Sequence, residues 1–89
     1  MKSVSITVYG NVQGVYFRQF TKQKAEELSI TGWVRNMEGG EVFMKLTGLH
    51  ETLEEMERWC YKGSPQSVVD RVIVKNIELI EFDKFEIRF

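Results

Sequence analysis

A chain of 89 residues holds one hydrophobic core, so residues 1–89 are read as a single domain. Hydrophobic residues at 43% and charged residues at 28% describe a globular chain and exclude a disordered or low-complexity one. Twelve basic against 13 acidic side chains leave a net charge of -1, which excludes a general field for nucleic acid or a membrane surface; any anion must be held locally.

The N-terminus, Met1-Lys2-Ser3-Val4-Ser5, is no signal sequence, and no run approaches the roughly 18 apolar residues of a transmembrane helix, so a soluble cytoplasmic protein is expected. Val4, Ile6 and Val8 alternate with Ser3, Ser5 and Thr7, which predicts a strand with one buried face that stops at Gly10. From Phe17 the spacing becomes helical. Phe17, Thr21, Ala25 and Leu28 form a stripe widened by Phe20, while Lys22, Lys24, Glu26 and Glu27 fall elsewhere.

Residues 30–36 and 41–47 read as two antiparallel strands joined through Met37-Glu38-Gly39-Gly40, where the glycine pair permits a type I′ turn. Leu53, Met56 and Cys60 give a second helix from His50 to Lys62, stopped by Gly63-Ser64-Pro65. Cys60 sits on its apolar stripe as a small buried hydrophobe, and as the only cysteine it cannot form an internal disulfide, which fits a reducing compartment. A fourth strand runs from Val68 to Lys75, and Phe85, Ile87 and Phe89 alternate with Glu86 and Arg88 in a short last one.

This order predicts an α+β fold: a ferredoxin-like βαββαβ open-faced sandwich with an extra short C-terminal strand, its two helices on one face of a mixed, mainly antiparallel sheet and the other face open. The fold hosts enzymes, RNA binders and regulatory modules alike, so the loops must decide.

Gly10-Asn11-Val12-Gln13-Gly14-Val15-Tyr16-Phe17-Arg18 joins the first strand to the first helix with two glycines and no acidic residue. Glycines let consecutive N–H groups face one concavity, and the free N–H groups of the first helical turn add partial positive charge, which suits a phosphate. Glycine spacing by itself also fits a plain strand-to-helix turn. Arg18 opposes the helix dipole by roughly 0.3–1 kcal/mol, a position that a bound anion would explain and that solvent exposure would also tolerate. Asn36 closes a hairpin, where asparagine is frequent for conformational reasons alone. Trp33 and Trp59 read as packing residues, and Phe43 could pack or stack on the open face. His50 has no partner at metal-ligand spacing, and Glu51, Glu54, Glu55 and Glu57 read as a solvated helix face, so neither metal nor cofactor is expected.

The stretch Gly10 to Arg18, together with Gly32-Trp33-Val34-Arg35-Asn36 and Gly40-Glu41-Val42, resembles the two signature motifs of acylphosphatases. Counterparts extend along the chain through Gly48, Trp59, Gly63, Pro65, Val69 and the terminal Phe85-Glu86-Ile87-Arg88-Phe89. The resemblance implies hydrolysis of small acyl phosphates such as acetyl phosphate, carbamoyl phosphate or 1,3-bisphosphoglycerate by a stand-alone monomer, with inorganic phosphate as product and competitive inhibitor. By position it assigns phosphate binding to Arg18 and the backbone N–H groups of Val12, Gln13, Gly14, Val15 and Tyr16, and orientation of the attacking water to Asn36. Ser29 stands where the family usually has glycine, and Gly39 where it usually has Asp or Asn. An RNA-recognition module is disfavoured because Glu41 to Thr47 lacks the RNP1 pattern. A regulatory module that binds a small anion without reaction remains the rival reading.

Overall fold

The period-two pattern of the first segment produces β1 (Lys2–Asn11) in a computed structural model describing residues 1–89, with Val4, Ile6 and Val8 buried on one side. Gly10 does not end the strand. It lies at φ 138, where the register against β4 (Val68–Ile77) shifts between Tyr9 and Gly10. A Cβ at Gly10 would collide with the Val68 carbonyl and crowd the Asp70 N–H, so this glycine permits a bulge and a close approach of two backbones.

α1 (Phe17–Glu27), β2 (Thr31–Asn36), β3 (Val42–Gly48), α2 (His50–Lys62) and β5 (Phe85–Arg88) complete the fold. The sheet order is β4-β1-β3-β2-β5, antiparallel throughout except for the parallel pair β2 and β5. Phe17, Thr21 and Ala25 of α1, and Leu53, Met56 and Cys60 of α2, are buried against the side of the sheet that carries Ile6, Val34, Met44 and Leu46. Phe20 sits at the margin of the first stripe, 38% exposed, where it lines a groove with Trp59, Gly63 and Pro65. Neither helix is long and apolar enough to cross a membrane.

α1 ends in a Schellman motif, with the Ile30 N–H donating to the Ala25 carbonyl at 2.8 Å and the Ser29 N–H to the Glu26 carbonyl at 3.1 Å. Ser29 takes the left-handed position, φ 57, that glycine occupies without a Cβ penalty. The β2–β3 turn is not type I′. The Gly40 N–H donates to the Met37 carbonyl at 3.2 Å, neither Glu38 nor Gly39 has positive φ, and Gly40 follows at φ 99, as in a three-residue hairpin loop with a bulge.

The face away from the helices is open only in part, because the connection from β4 to β5 crosses one end of it. The Ile80 N–H donates to Ser3 Oγ at 2.9 Å and Thr47 Oγ1 donates to the Ile80 carbonyl at 2.6 Å. With the threonine proton so engaged, Ser3 Oγ donates to Thr47 Oγ1 at 2.6 Å, closing a ring of three hydrogen bonds around two buried hydroxyls. Elsewhere on that face Trp33 packs on Phe43 with centroids 5.7 Å apart, and the Arg88 guanidinium lies 4.8 Å from the Trp33 ring.

Candidate active site

Strand alternation decides where Asn36 points. Gly32, Val34 and Asn36 share one side of β2, and buried Val34 fixes that side as the one facing the helices. Asn36 is the last residue of the strand, so its side chain emerges at the sheet's end, beside the start of α1. No protein group hydrogen-bonds its amide.

The loop from Val12 to Tyr16 delivers the chain from β1 to α1 with Gly14 at φ 75 and Tyr16 at φ 62, two left-handed residues that turn the backbone sharply. Only Gly14 adopts this conformation without steric cost. The consequence is an uninterrupted row of donors. From Val12 to Gln19, no backbone N–H finds an acceptor within the chain; the first satisfied one is Phe20, bonded to the Tyr16 carbonyl at 3.1 Å. The helix start has neither a side-chain cap nor an acidic residue in its first turn to offset that polarity.

Arg18 adds a full positive charge in the same turn and forms no ion pair with any carboxylate. Its Nη1 donates to the Arg88 carbonyl at 3.2 Å, and its guanidinium carbon lies 4.7 Å from the centroid of the Phe89 ring. These contacts hold the plane of the guanidinium at its edge and face without neutralising it, which leaves further N–H donors and the charge for an anion.

Val12, Gly14, Tyr16, Arg18 and Asn36 line one cavity of about 380 Å3. Its volume falls in the range of about 300–1,000 Å3 typical of small-molecule sites. Gln13 and Val15, also expected in the cradle by their N–H groups, do not line it, and their other contacts are structural. The Gln13 amide donates to the carbonyls of Met37 and Glu41 at 2.8 and 3.0 Å, and the Val15 carbonyl accepts from Ser64 Oγ at 2.8 Å. Phe17, Gln19, Ile87 and Phe89 complete the lining. Ile87 and Phe89 were visible in the sequence as one side of an alternating segment; their place at the cavity follows from the parallel pairing of β5 with β2, which local spacing does not encode.

Two residues set aside on sequence grounds stay outside this cavity. Trp59 packs on Phe17 with ring centroids 5.3 Å apart. Cys60 is fully buried, and desolvation, with the nearby Glu57 charge adding to it, pushes its thiol pKa well up, the reverse of an activated nucleophile. No three His, Cys, Asp or Glu side chains gather in a group that could hold a metal ion.

The fold and the cleft define a ferredoxin-like α+β domain with a cavity between the end of its sheet and the start of its first helix, where Arg18 and N–H groups without acceptors gather. The acylphosphatase family model matches residues 4–87. An acylphosphatase of Geobacter sulfurreducens is 40% identical over 85 residues, covering 94% of this chain and 93% of its own, and acylphosphatase-2 of Bos taurus is 39% identical over 93 residues, covering 100% and 94%. The crystal structure of an acylphosphatase from Bacillus subtilis, 32% identical, superposes with a TM-score of 0.96 over 100% of both chains. The chain belongs to the acylphosphatase family.

Proposed function

We propose that in this acylphosphatase-family hydrolase Arg18 and the backbone N–H groups of the 12–16 loop hold the phosphate of an acyl phosphate while Asn36 orients the water that attacks it. Hydrolysis of acyl phosphates follows from membership of the family, which also disfavours the reading as a regulatory module. The division of labour rests on one observation: an arginine without a carboxylate partner, loop residues Val12, Gly14 and Tyr16 with unpartnered N–H groups, and an asparagine with an unbonded amide line a single cavity.

The chemistry needs little more. The water oxygen bonds to phosphorus as the bond from phosphorus to the acyl oxygen breaks, the electron pair leaves on the carboxylate, and the proton of the water passes to phosphate or solvent. A loose phosphoryl-transfer transition state is stabilised by positioning and charge, which Arg18 and the loop supply. A carboxylate is a weak base and leaves without a general acid. Asn36 accepts one hydrogen bond from the water through its amide oxygen and so sets the line of attack without acting as a base.

On this reading acetyl phosphate, carbamoyl phosphate and 1,3-bisphosphoglycerate are all substrates, because the demands of the site fall on the phosphate they share. Inorganic phosphate is product and competitive inhibitor. The protein works as a monomer, and Cys60, an unpaired thiol, suits a reducing cytoplasm. The test is release of phosphate from acetyl or benzoyl phosphate by the purified protein in EDTA. Turnover is expected, and a protein that binds phosphate but leaves these substrates intact would restore the regulatory reading.

A further inference from the structure

Phosphate and water, on the reading above, are held by separate elements, and in-line attack requires those elements to keep a fixed separation. The loop belongs to the β1–α1 connection and Asn36 to the end of β2, and the Gln13 side chain spans the two. Its Nε2 donates to the carbonyls of Met37 and Glu41 at 2.8 and 3.0 Å, residues that lie 24 and 28 positions further along the chain. Met37 directly follows Asn36. Both acceptors are carbonyls, so only the amide nitrogen can face them, and the side chain has one orientation.

The hairpin does not need this amide for its own integrity. The Met37 carbonyl already accepts from the Gly40 N–H at 3.2 Å, and the Glu41 carbonyl from the Met37 N–H at 2.9 Å. Gln13 therefore occupies the second lone pair of each carbonyl. What it adds is a bridge from the residue before Gly14 to the turn that directly follows Asn36. The side chain is half-buried, which strengthens the bridge relative to one in open water.

We infer that Gln13 is a positioning residue for hydrolysis: its side chain sets the distance between the phosphate cradle and the water held by Asn36. The inference rests on the division of labour proposed above. Misplacement by about 1 Å of a group that orients a reactant costs on the order of a hundredfold in rate. Loss of the bridge should therefore appear in kcat and leave phosphate affinity nearly unchanged, since the cradle's own donors stay in place.

The experiment compares Gln13→Met, which keeps length and loses the donors, in the native and Asn36→Ala backgrounds, measuring kcat on benzoyl phosphate and the inhibition constant of inorganic phosphate. In the native background kcat is expected to fall roughly ten- to a hundredfold with phosphate inhibition within about twofold of native. In the Asn36→Ala background the same substitution is expected to change kcat by less than about twofold, because a residue acting through Asn36 has nothing left to position. Gln13→Glu, which turns an acceptor towards both carbonyls, repeats the test should Gln13→Met fold poorly. Parallel loss of kcat and phosphate affinity, a full effect in the Asn36→Ala background, or a native kcat in both variants would overturn the inference. An inactive native chain, or an Asn36→Ala chain that turns over at the native rate, would overturn the division of labour beneath it.

Discussion

Nη1 of Arg18 donates to the main-chain carbonyl of Arg88 at 3.2 Å, so the cation at the start of the first helix is aimed by the last strand. Arg18→Ala is expected to lower kcat/KM by about a hundredfold or more and to weaken phosphate inhibition, as loss of a preorganised charge-stabilising donor does. Arg18→Lys should restore only part of this, because an ammonium has the charge but lacks the planar fork that meets both the Arg88 carbonyl and a phosphate oxygen. Steady-state kinetics with acetyl phosphate, with inorganic phosphate as inhibitor, checks both variants. Unchanged phosphate inhibition in Arg18→Ala would remove Arg18 from the cradle.

Asn36 differs from Arg18 in having no hydrogen-bonded partner to lose. Asn36→Ala should leave the thermal midpoint close to native while kcat drops roughly tenfold or more, and the inhibition constant of phosphate should move far less than kcat. Thermal unfolding and inhibition kinetics on the same preparation separate these effects. Equal loss of turnover and of phosphate binding would mark the residue as part of the phosphate site or of the hairpin's structure.

The ring formed by Ser3, Thr47 and Ile80 lies on the sheet face away from the cavity. Thr47→Val keeps the shape but removes both the donor to the Ile80 carbonyl and the acceptor for the Ser3 hydroxyl. Leaving such groups buried without partners costs about 1–3 kcal/mol. A lower urea midpoint with an unaltered m-value, and native kcat well below the transition, is the expected result.

Cys60 supplies a prediction in pH. Burial raises its thiol pKa in the folded chain above the ordinary 9.0, so the folded state holds the proton more tightly than the unfolded one. Its contribution to stability is complete below about pH 9 and declines as the pH rises from there towards the folded value, where the unfolded chain carries a thiolate that the folded chain does not. Cys60→Ala should flatten that part of the stability profile measured by urea unfolding, and a thiol reagent should label native protein only at the rate of unfolding.

Local pattern carried most of the fold. Val4, Ile6 and Val8 and the Leu53–Met56–Cys60 stripe each fixed an element and its inner side because burial follows residue periodicity, whereas the last segment keeps that rule only for Phe85 and Ile87: Phe89 lies past the end of β5 and is 97% exposed. Asn36 and the loop could be picked out as a pair through their motifs, but their meeting at one cavity depends on strand register. The misreadings share a cause. Gly10 looks the same in sequence whether it ends a strand or permits a bulge against Val68, and helical spacing does not tell how much of the Phe20 ring at the stripe's margin is covered. The turn at Met37–Gly40 differs from the expected type because Gly40, rather than the Gly39-Gly40 pair, takes the positive φ. The side-chain roles of Gln13, Ser3 and Thr47 depend on partners 24 to 77 residues away, beyond the reach of any local pattern.

Only β2 and β3 are neighbours both along the chain and within the sheet order β4-β1-β3-β2-β5. Every other pairing closes a long loop before its contacts reward it, which places the chain among slower-folding small domains. The cavity inherits this lateness: its cradle lies near the start of the chain, its asparagine on the one local hairpin, and its wall on Ile87, in a strand that pairs with β2 across half the sequence, and on Phe89 just past that strand's end. In refolding, hydrolytic activity should therefore return after helix content does, making catalysis a clock for the last step of assembly.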